Sequence, residues 1–247
     1  MVKIQVCSNL NIKSYKDLIL LKENNTKSDI LIIPGNIVIN MNNYRYIKFL
    51  NLINNNYKKS IIIMGISEYY NNGIDEMKMK IKKKLTTKYT NIIFVIDDMY
   101  EDEEYIFYGY TLWSKIDCVD QVKIINNTKL QNICYKGNKK LCVSKIIDLY
   151  YNSIEDIKNK IKNSKKIKIL ITNFIPVSSN FIKENIGDNE FDKKYILDKN
   201  LIDFYFNKSD ICDNFDICCF NGFSNLFFKN NGIAYISNND LNHLYNV

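Results

Sequence analysis

Eight short apolar runs punctuate the chain, at residues 3–7, 29–33, 60–64, 91–95, 104–110, 167–172, 216–220 and 233–237. They are rich in Ile and Val, and turn residues bound most of them. Continuous apolar runs of this length predict strands buried on both faces. Between them the spacing of apolar positions becomes helical. Ile47, Leu50 and Ile53 form one stripe, Ile74, Met77, Ile81 and Leu85 a second, and Ile147, Tyr150, Ile154, Ile157 and Ile161 a third. The third stripe is unbroken, so it predicts one continuous helix that runs through Ser153, with Ser144 as its cap. The order is β, α, β, α, β, then strand-rich, then β again with less regular links. This is an α/β (α+β) chain with layered sheets. No internal repeat or linker divides it, which predicts a single domain over residues 1–247. Pro34 and Pro176 each follow a strand run, and the Asn-rich patches at 54–56 and 71–72 read as loops. Residues 118–141 fit none of these patterns and read as an irregular insertion over one face.

At 247 residues and 46% hydrophobic, the chain has material for a sizeable core. No run of 18 apolar residues exists, so no segment predicts a membrane span. The start of the chain alternates like a strand and lacks the features of a signal peptide. Seven cysteines occur without a zinc-type Cys-x-x-Cys pair. Several, such as Cys7, Cys218 and Cys219, lie in apolar runs, which predicts buried free thiols in a reducing, cytoplasmic setting. Net charge is +7, yet only Arg45 among 34 basic residues is Arg. Lys, Asn, Ile and Tyr all have A/T-rich codons, so the lysines reflect base bias, as in A/T-rich large DNA viruses, protozoa or reduced bacteria. A base-reading surface would favour Arg.

Smaller constellations carry little chemistry. The lysines at 78–84 and 158–168 overlap helical stripes and read as solvated faces. The acidic residues from Asp97 to Glu104 lack the turn glycines of a calcium loop and read as a solvated hairpin loop. Cys118, Cys134 and Cys142 have no partnering His for nucleophilic work. His243, the chain's only histidine, reads as a surface residue. Trp113 and the tyrosines read as core and interface material.

Five segments stand at or beside strand ends: Ser8-Asn9-Leu10-Asn11, Pro34-Gly35-Asn36, Gly65-Ile66-Ser67-Glu68, Thr172-Asn173 and Gly222-Phe223-Ser224-Asn225. In order and spacing they resemble the signature of calcineurin-like metallophosphoesterases: Asp-x-His, Gly-Asp, Gly-Asn-His-Glu, His and Gly-His-x-His. Gly109-Tyr110-Thr111-Leu112-Trp113-Ser114 and Ile233-Ala234-Tyr235-Ile236-Ser237-Asn238 resemble further blocks of a bacterial-type branch. The likeness runs from about residue 3 to 240. It implies a four-layer αββα sandwich of two mixed sheets, with the site where strand ends of the two sheets converge.

The same resemblance marks what is missing. A dinuclear site needs carboxylates and imidazoles to hold two cations about 3.5–4 Å apart. At the matching positions this chain has Asn9, Asn11, Asn36, Ile66, Ser67, Asn173, Phe223 and Asn225. Asn can lend a carbonyl to a hard cation but brings no charge. Ile66 and Phe223 offer no ligand atom, and Ser67 stands where the family has its general-acid His. The expectation is a vestigial site with no catalytic residues, no metal and no cofactor, its asparagines closing a neutral hydrogen-bond network. The function expected is that of an inactive metallophosphoesterase-like protein (a pseudoenzyme) in a protein-interaction, scaffold or virion-associated role. Its partner would be another protein or a second copy, with no membrane and only weak, non-specific nucleic-acid contact. Two alternatives are a metal-dependent phosphoesterase with non-standard ligands and a non-hydrolytic binder of phosphate, nucleotide or nucleic acid.

Overall fold

The computed structural model describes residues 3–14, 16–18, 28–39, 43–115, 132–187, 210–221, 226–237 and 245–246. Two mixed sheets carry the fold. The first has β1 (Lys3–Val6), β2 (Ile30–Ile33), β3 (Lys59–Ile62) and β4 (Ile92–Phe94) in parallel, with β13 (Tyr245–Asn246) antiparallel on β1. The second has β6 (Tyr105–Tyr110), β9 (Ile167–Thr172), β10 (Ile217–Phe220) and β12 (Ile233–Ser237) in parallel. Its edges are antiparallel: β5 (Asp98–Glu101) on β6, and β11 (Leu226–Asn230) on β12. A separate hairpin, β7 (Cys134–Lys136) and β8 (Lys139–Lys140), bridges to Gly73.

The apolar runs are buried on both faces for a reason visible in the packing. One core lies between the sheets, where Ile4, Val6, Ile32, Ile61 and Ile63 meet Phe107, Ile169, Ile171, Cys219 and Ile236. Alternate residues of the same strands face outward. Leu31, Ile33 and Ile62 sit in a second core with residues of helices α1 (Tyr44–Asn56) and α2 (Ile74–Lys80). Tyr108, Leu170, Cys218, Phe220 and Tyr235 sit in a third, with Ile157 of helix α3 (Val143–Lys160) and Ile182 of α4 (Ser179–Ile186). Helix, sheet, sheet and helix thus stack as the four-layer sandwich expected from the sequence.

The helices follow their stripes. Asn43 caps α1, its side chain accepting from the Arg45 N–H, and Tyr46, Phe49, Leu50 and Ile53 face the core. The second stripe runs through α2 into a wider π turn at Ile81–Leu85. The third is one helix. Ser153 lies inside it with its hydroxyl donating to the Leu149 carbonyl. Its cap position is Cys142, not Ser144, because the helix starts at Val143, two residues earlier than a cap at Ser144 allows.

Two expectations change. The acidic segment is a hairpin, as expected, with exposed Glu103 and Glu104 in its turn, but it is not all loop. Asp98–Glu101 forms edge strand β5, and its carboxylates gather lysines from both charge runs. Lys160 reaches Asp98 at 2.9 Å, Lys162 and Lys166 pair with Glu101, and Lys78 pairs with Asp97. Lys59 adds a pair with Asp102. Lys59, Lys78, Lys160 and Lys166 are half-buried and ion-paired, whereas Lys82, Lys83, Lys84, Lys158, Lys162 and Lys165 are exposed, as a solvated face demands. Of the expected insertion, residues 132–141 belong to the β7–β8 hairpin and its flanks, and 118–131 lie outside the described residues. Cys7, Cys212, Cys218 and Cys219 are buried free thiols.

Candidate functional site

The loops after β1, β2, β3 and β9 all leave the same ends of parallel strands. The residues singled out from the sequence ride on them. Asn9 and Asn11 follow β1, Asn36 follows β2, Ile66 and Ser67 follow β3, and Asn173 follows β9. Phe223 and Asn225 lie outside the described residues, as does His243.

Backbone geometry explains the choice of Asn. Asn9, Asn11 and Asn36 have φ of 55°, 43° and 56°. Asn is the side chain other than glycine that most readily takes this left-handed conformation, because its short amide bonds locally. Gly35 beside Asn36 has φ of 81° and is pressed against the β3 loop. A Cβ there would lie 2.4 Å from the Gly65 nitrogen. Only glycine lets the two loops approach this closely.

The amides then stitch the loops together. Asn36 Oδ1 accepts from the Ser67 N–H at 3.1 Å. Asn173 Oδ1 accepts from the Ile66 N–H at 3.2 Å, and its Nδ2 donates to the Pro34 carbonyl at 2.8 Å. Asn173 therefore ties a loop of the second sheet to two loops of the first. Asn11 Nδ2 donates to Asn9 Oδ1 at 2.6 Å, and the Asn11 N–H donates to the Asn36 carbonyl at 3.0 Å. These amides bond mainly to backbone groups; among the described site residues only Asn9 and Asn11 join side chain to side chain.

At the centre of these loops is a residue to which the sequence assigned no role beyond its place in the Gly65–Glu68 block. Glu68 is fully buried. Its Oε2 accepts from the N–H groups of Gly65 (2.8 Å) and Asn36 (2.9 Å), and its Oε1 from those of Ile37 (2.6 Å) and Val38 (3.3 Å). Burial pushes its pKa up, against the downward pull of those four donors. Next to it, Tyr69 stacks on Trp113 at 6.1 Å between ring centroids, and Trp113 tilts against Phe174 at 5.8 Å. Thr111 links the Tyr69 hydroxyl (3.3 Å) and the Met64 carbonyl (3.0 Å). Leu112, with φ of 48°, carries the chain from Thr111 into Trp113. A bulky residue in that conformation is strained and is held there by its surroundings. The signal for Glu68 was its place three residues after Gly65, from which it reaches back to the Gly65 N–H.

The resemblance read from the sequence implies a cation pair at these loops, and among the described residues the donors there do not fit one. The oxygens of Asn36 and Asn173 carry no charge and are turned onto N–H groups of the β3 loop. The oxygen of Asn9 is taken by Asn11. Ile66 brings no donor atom, and both oxygens of Glu68 face backbone N–H groups. Among the described residues no group of three or more His, Cys, Asp or Glu gathers to hold a metal ion. Burying two divalent ions among neutral donors leaves their charge uncompensated, at a cost of several kcal/mol or more.

The fold is that of the metallophosphoesterases. Phosphopantetheinyl hydrolase (PptH) from Mycobacterium tuberculosis matches it with a TM-score of 0.68 over 95% of this chain and 88% of its own, at 8% sequence identity. TT1561 of Thermus thermophilus matches with a TM-score of 0.55 over 98% of this chain and 90% of its own, at 11% identity. Likeness at such low identity concerns the fold alone. In sequence, the chain is 30% identical over 166 residues to uncharacterized protein L509 of Acanthamoeba polyphaga mimivirus. The match covers 60% of this chain and 55% of that protein, so the chain spans about half the length of the curated relative it matches. No protein-family model matches.

Proposed function

We propose that this chain is a catalytically inactive metallophosphoesterase-like protein that acts through protein interaction, as a scaffold or virion-associated component. The observation that carries the reading is the state of the donors. Where phosphoryl chemistry needs charged ligands free to face a metal pair, the described residues of these loops offer neutral amides turned onto the chain's own backbone and one carboxylate enclosed by four N–H groups. Asn36, Asn173 and Glu68 bridge the loops directly. Such a frame keeps the fold while its chemistry is lost, which leaves the surface free to serve binding. The mimivirus relative supports a viral setting. Among the described residues no helix is long and apolar enough to cross a membrane.

Turnover of generic phosphomonoesters and phosphodiesters, across divalent metals and pH, tests the first half. The expected result is background rates. Saturable hydrolysis that survives repurification and disappears in Asn36→Ala and Asn173→Ala overturns it. Light scattering, followed by affinity capture from the native source at moderate salt, tests the second half. A strictly monomeric chain that captures nucleic acid and no protein contradicts the scaffold role.

A further inference from the structure

The enclosure of Glu68 has the chemistry of a receptor. Asn36, Ile37 and Val38 are consecutive, and their three N–H groups converge on one carboxylate because Gly35 and Asn36 both take positive φ. Successive N–H groups aimed into one concavity form an anion-binding nest. The Gly65 N–H completes it from the neighbouring loop. The four closest partners are all donors, so the nest suits an ionised oxyanion. A neutral amide there would set its own N–H against theirs. Among the described residues no lysine or arginine pairs with Glu68, so the attraction comes from oriented backbone dipoles.

We propose that residues 35–38 and Gly65 form a carboxylate-binding site whose resident ligand is the chain's own Glu68, and that this internal ligand clamps the β2 loop to the β3 loop. Removing the side chain beyond Cβ vacates the nest and opens it to a small external carboxylate such as formate. The clamp rests on the same enclosure of Glu68 that supports the proposed function, but the two fail separately: an active enzyme would leave the clamp standing, and a failed clamp would leave the neutral amides of Asn36 and Asn173, turned onto backbone groups, as the support for the inactive reading.

Thermal melting of Glu68→Ala and Glu68→Gln with and without sodium formate tests the proposal, with sodium chloride at equal ionic strength as control. Glu68→Ala is expected to melt roughly 10 °C below wild type, because three buried donors and one partly buried donor lose their acceptor. Formate, and not chloride, is expected to restore part of that loss saturably in Glu68→Ala and to leave wild type unmoved. Glu68→Gln is expected to melt well below wild type despite its matching shape. Amide hydrogen exchange on the wild-type protein supplies a readout that needs no variant to fold. The N–H groups of Ile37 and Val38 lie outside any strand or helix, yet are expected to exchange slowly. Glu68→Gln melting like wild type, formate acting equally on wild type and Glu68→Ala, or fast exchange at Ile37 and Val38 would each overturn the proposal.

Discussion

Gly65→Ala isolates the contact between loops on which the site depends. Gly65 has φ of −104°, which alanine adopts freely, so the substitution acts through space alone. A Cβ at this position lies 2.5 Å from Asn173 Nδ2, 2.5 Å from Asn36 Oδ1 and 2.6 Å from the Asn36 backbone nitrogen. Ordinary contact begins at 3.4 Å, so these atoms must retreat by nearly 1 Å. They make the bonds from Ser67 to Asn36, from Asn173 to Pro34, and from Asn36 to Glu68. The first of these is already 3.1 Å long and does not survive such a shift. Net losses of about 1 kcal/mol for each neutral bond and about 2 kcal/mol for the charge-assisted one bound the polar cost. Overpacking adds about 1–3 kcal/mol. Because the terms overlap, about 3–5 kcal/mol is the expected total. For a chain of this size each kcal/mol lowers Tm by about 2–4 °C, so Gly65→Ala should melt roughly 10 °C below wild type by calorimetry. Gly73→Ala is the control, since its Cβ meets only the flexible Glu76 side chain, at 3.1 Å or more. A Gly65→Ala protein that melts within about 2 °C of Gly73→Ala would refute the loop contact.

Three further outcomes follow from the same geometry. Lysines hold Asp98, Glu101 and Asp102 below the usual carboxylate range, against desolvation at Asp98 and Asp102. Their contribution is complete above the unfolded pKa of about 4 and is lost as pH falls through the lower folded values. Tm should therefore drop on acidification from about pH 5, and Lys166→Met should flatten that drop. Asn36→Asp sets a second carboxylate beside Glu68. Repulsion raises the folded pKa of the new group, so its protonated form is tolerated at low pH and stability is lost as pH rises through that value. Tm relative to wild type should be lower at pH 8 than at pH 5, and Mn²⁺ should not restore it. Asn231 and Gly232 join β11 to β12 with φ of 49° and 84°. Asn231→Val places a β-branched residue there and should cost about 1–2 kcal/mol by chemical denaturation, whereas Asn231→Gly should stay close to wild type.

Much of this was legible in the sequence because buried parallel strands announce themselves. Ile30–Ile33 and Ile217–Phe220 are apolar at every position, as two covered faces demand. The order of strand-end blocks placed Asn9, Asn36, Ser67 and Asn173 on converging loops. Edge elements were harder. β5 is charged because one side of it is open, so its alternation is hidden under Asp98 and Glu101, and it read as a loop. β11 carries Leu-Phe-Phe beside the Asn231-Gly232 turn, yet the strand went unread even though that dipeptide marks a hairpin. α4 is eight residues long, too short for a repeating stripe, and shows itself mainly through its Ser178 cap. Glu68 was the largest omission at the site. A lone acid in a sequence looks like residual charge: its spacing from Gly65 hints at one donor, and only the turn at Gly35 and Asn36 reveals the other three.

The central claim is that the site no longer holds a metal pair, and calorimetric titration of the wild-type protein with Mn²⁺, alongside elemental analysis, tests it most directly. Ligand binding to the native state at 100 times Kd adds about 2.7 kcal/mol, which would raise Tm by roughly 5–10 °C. The account predicts no two-site isotherm, no such rise and metal content well below one ion per chain. Two ions per chain, with a rise in Tm that disappears in Asn36→Ala, would contradict it.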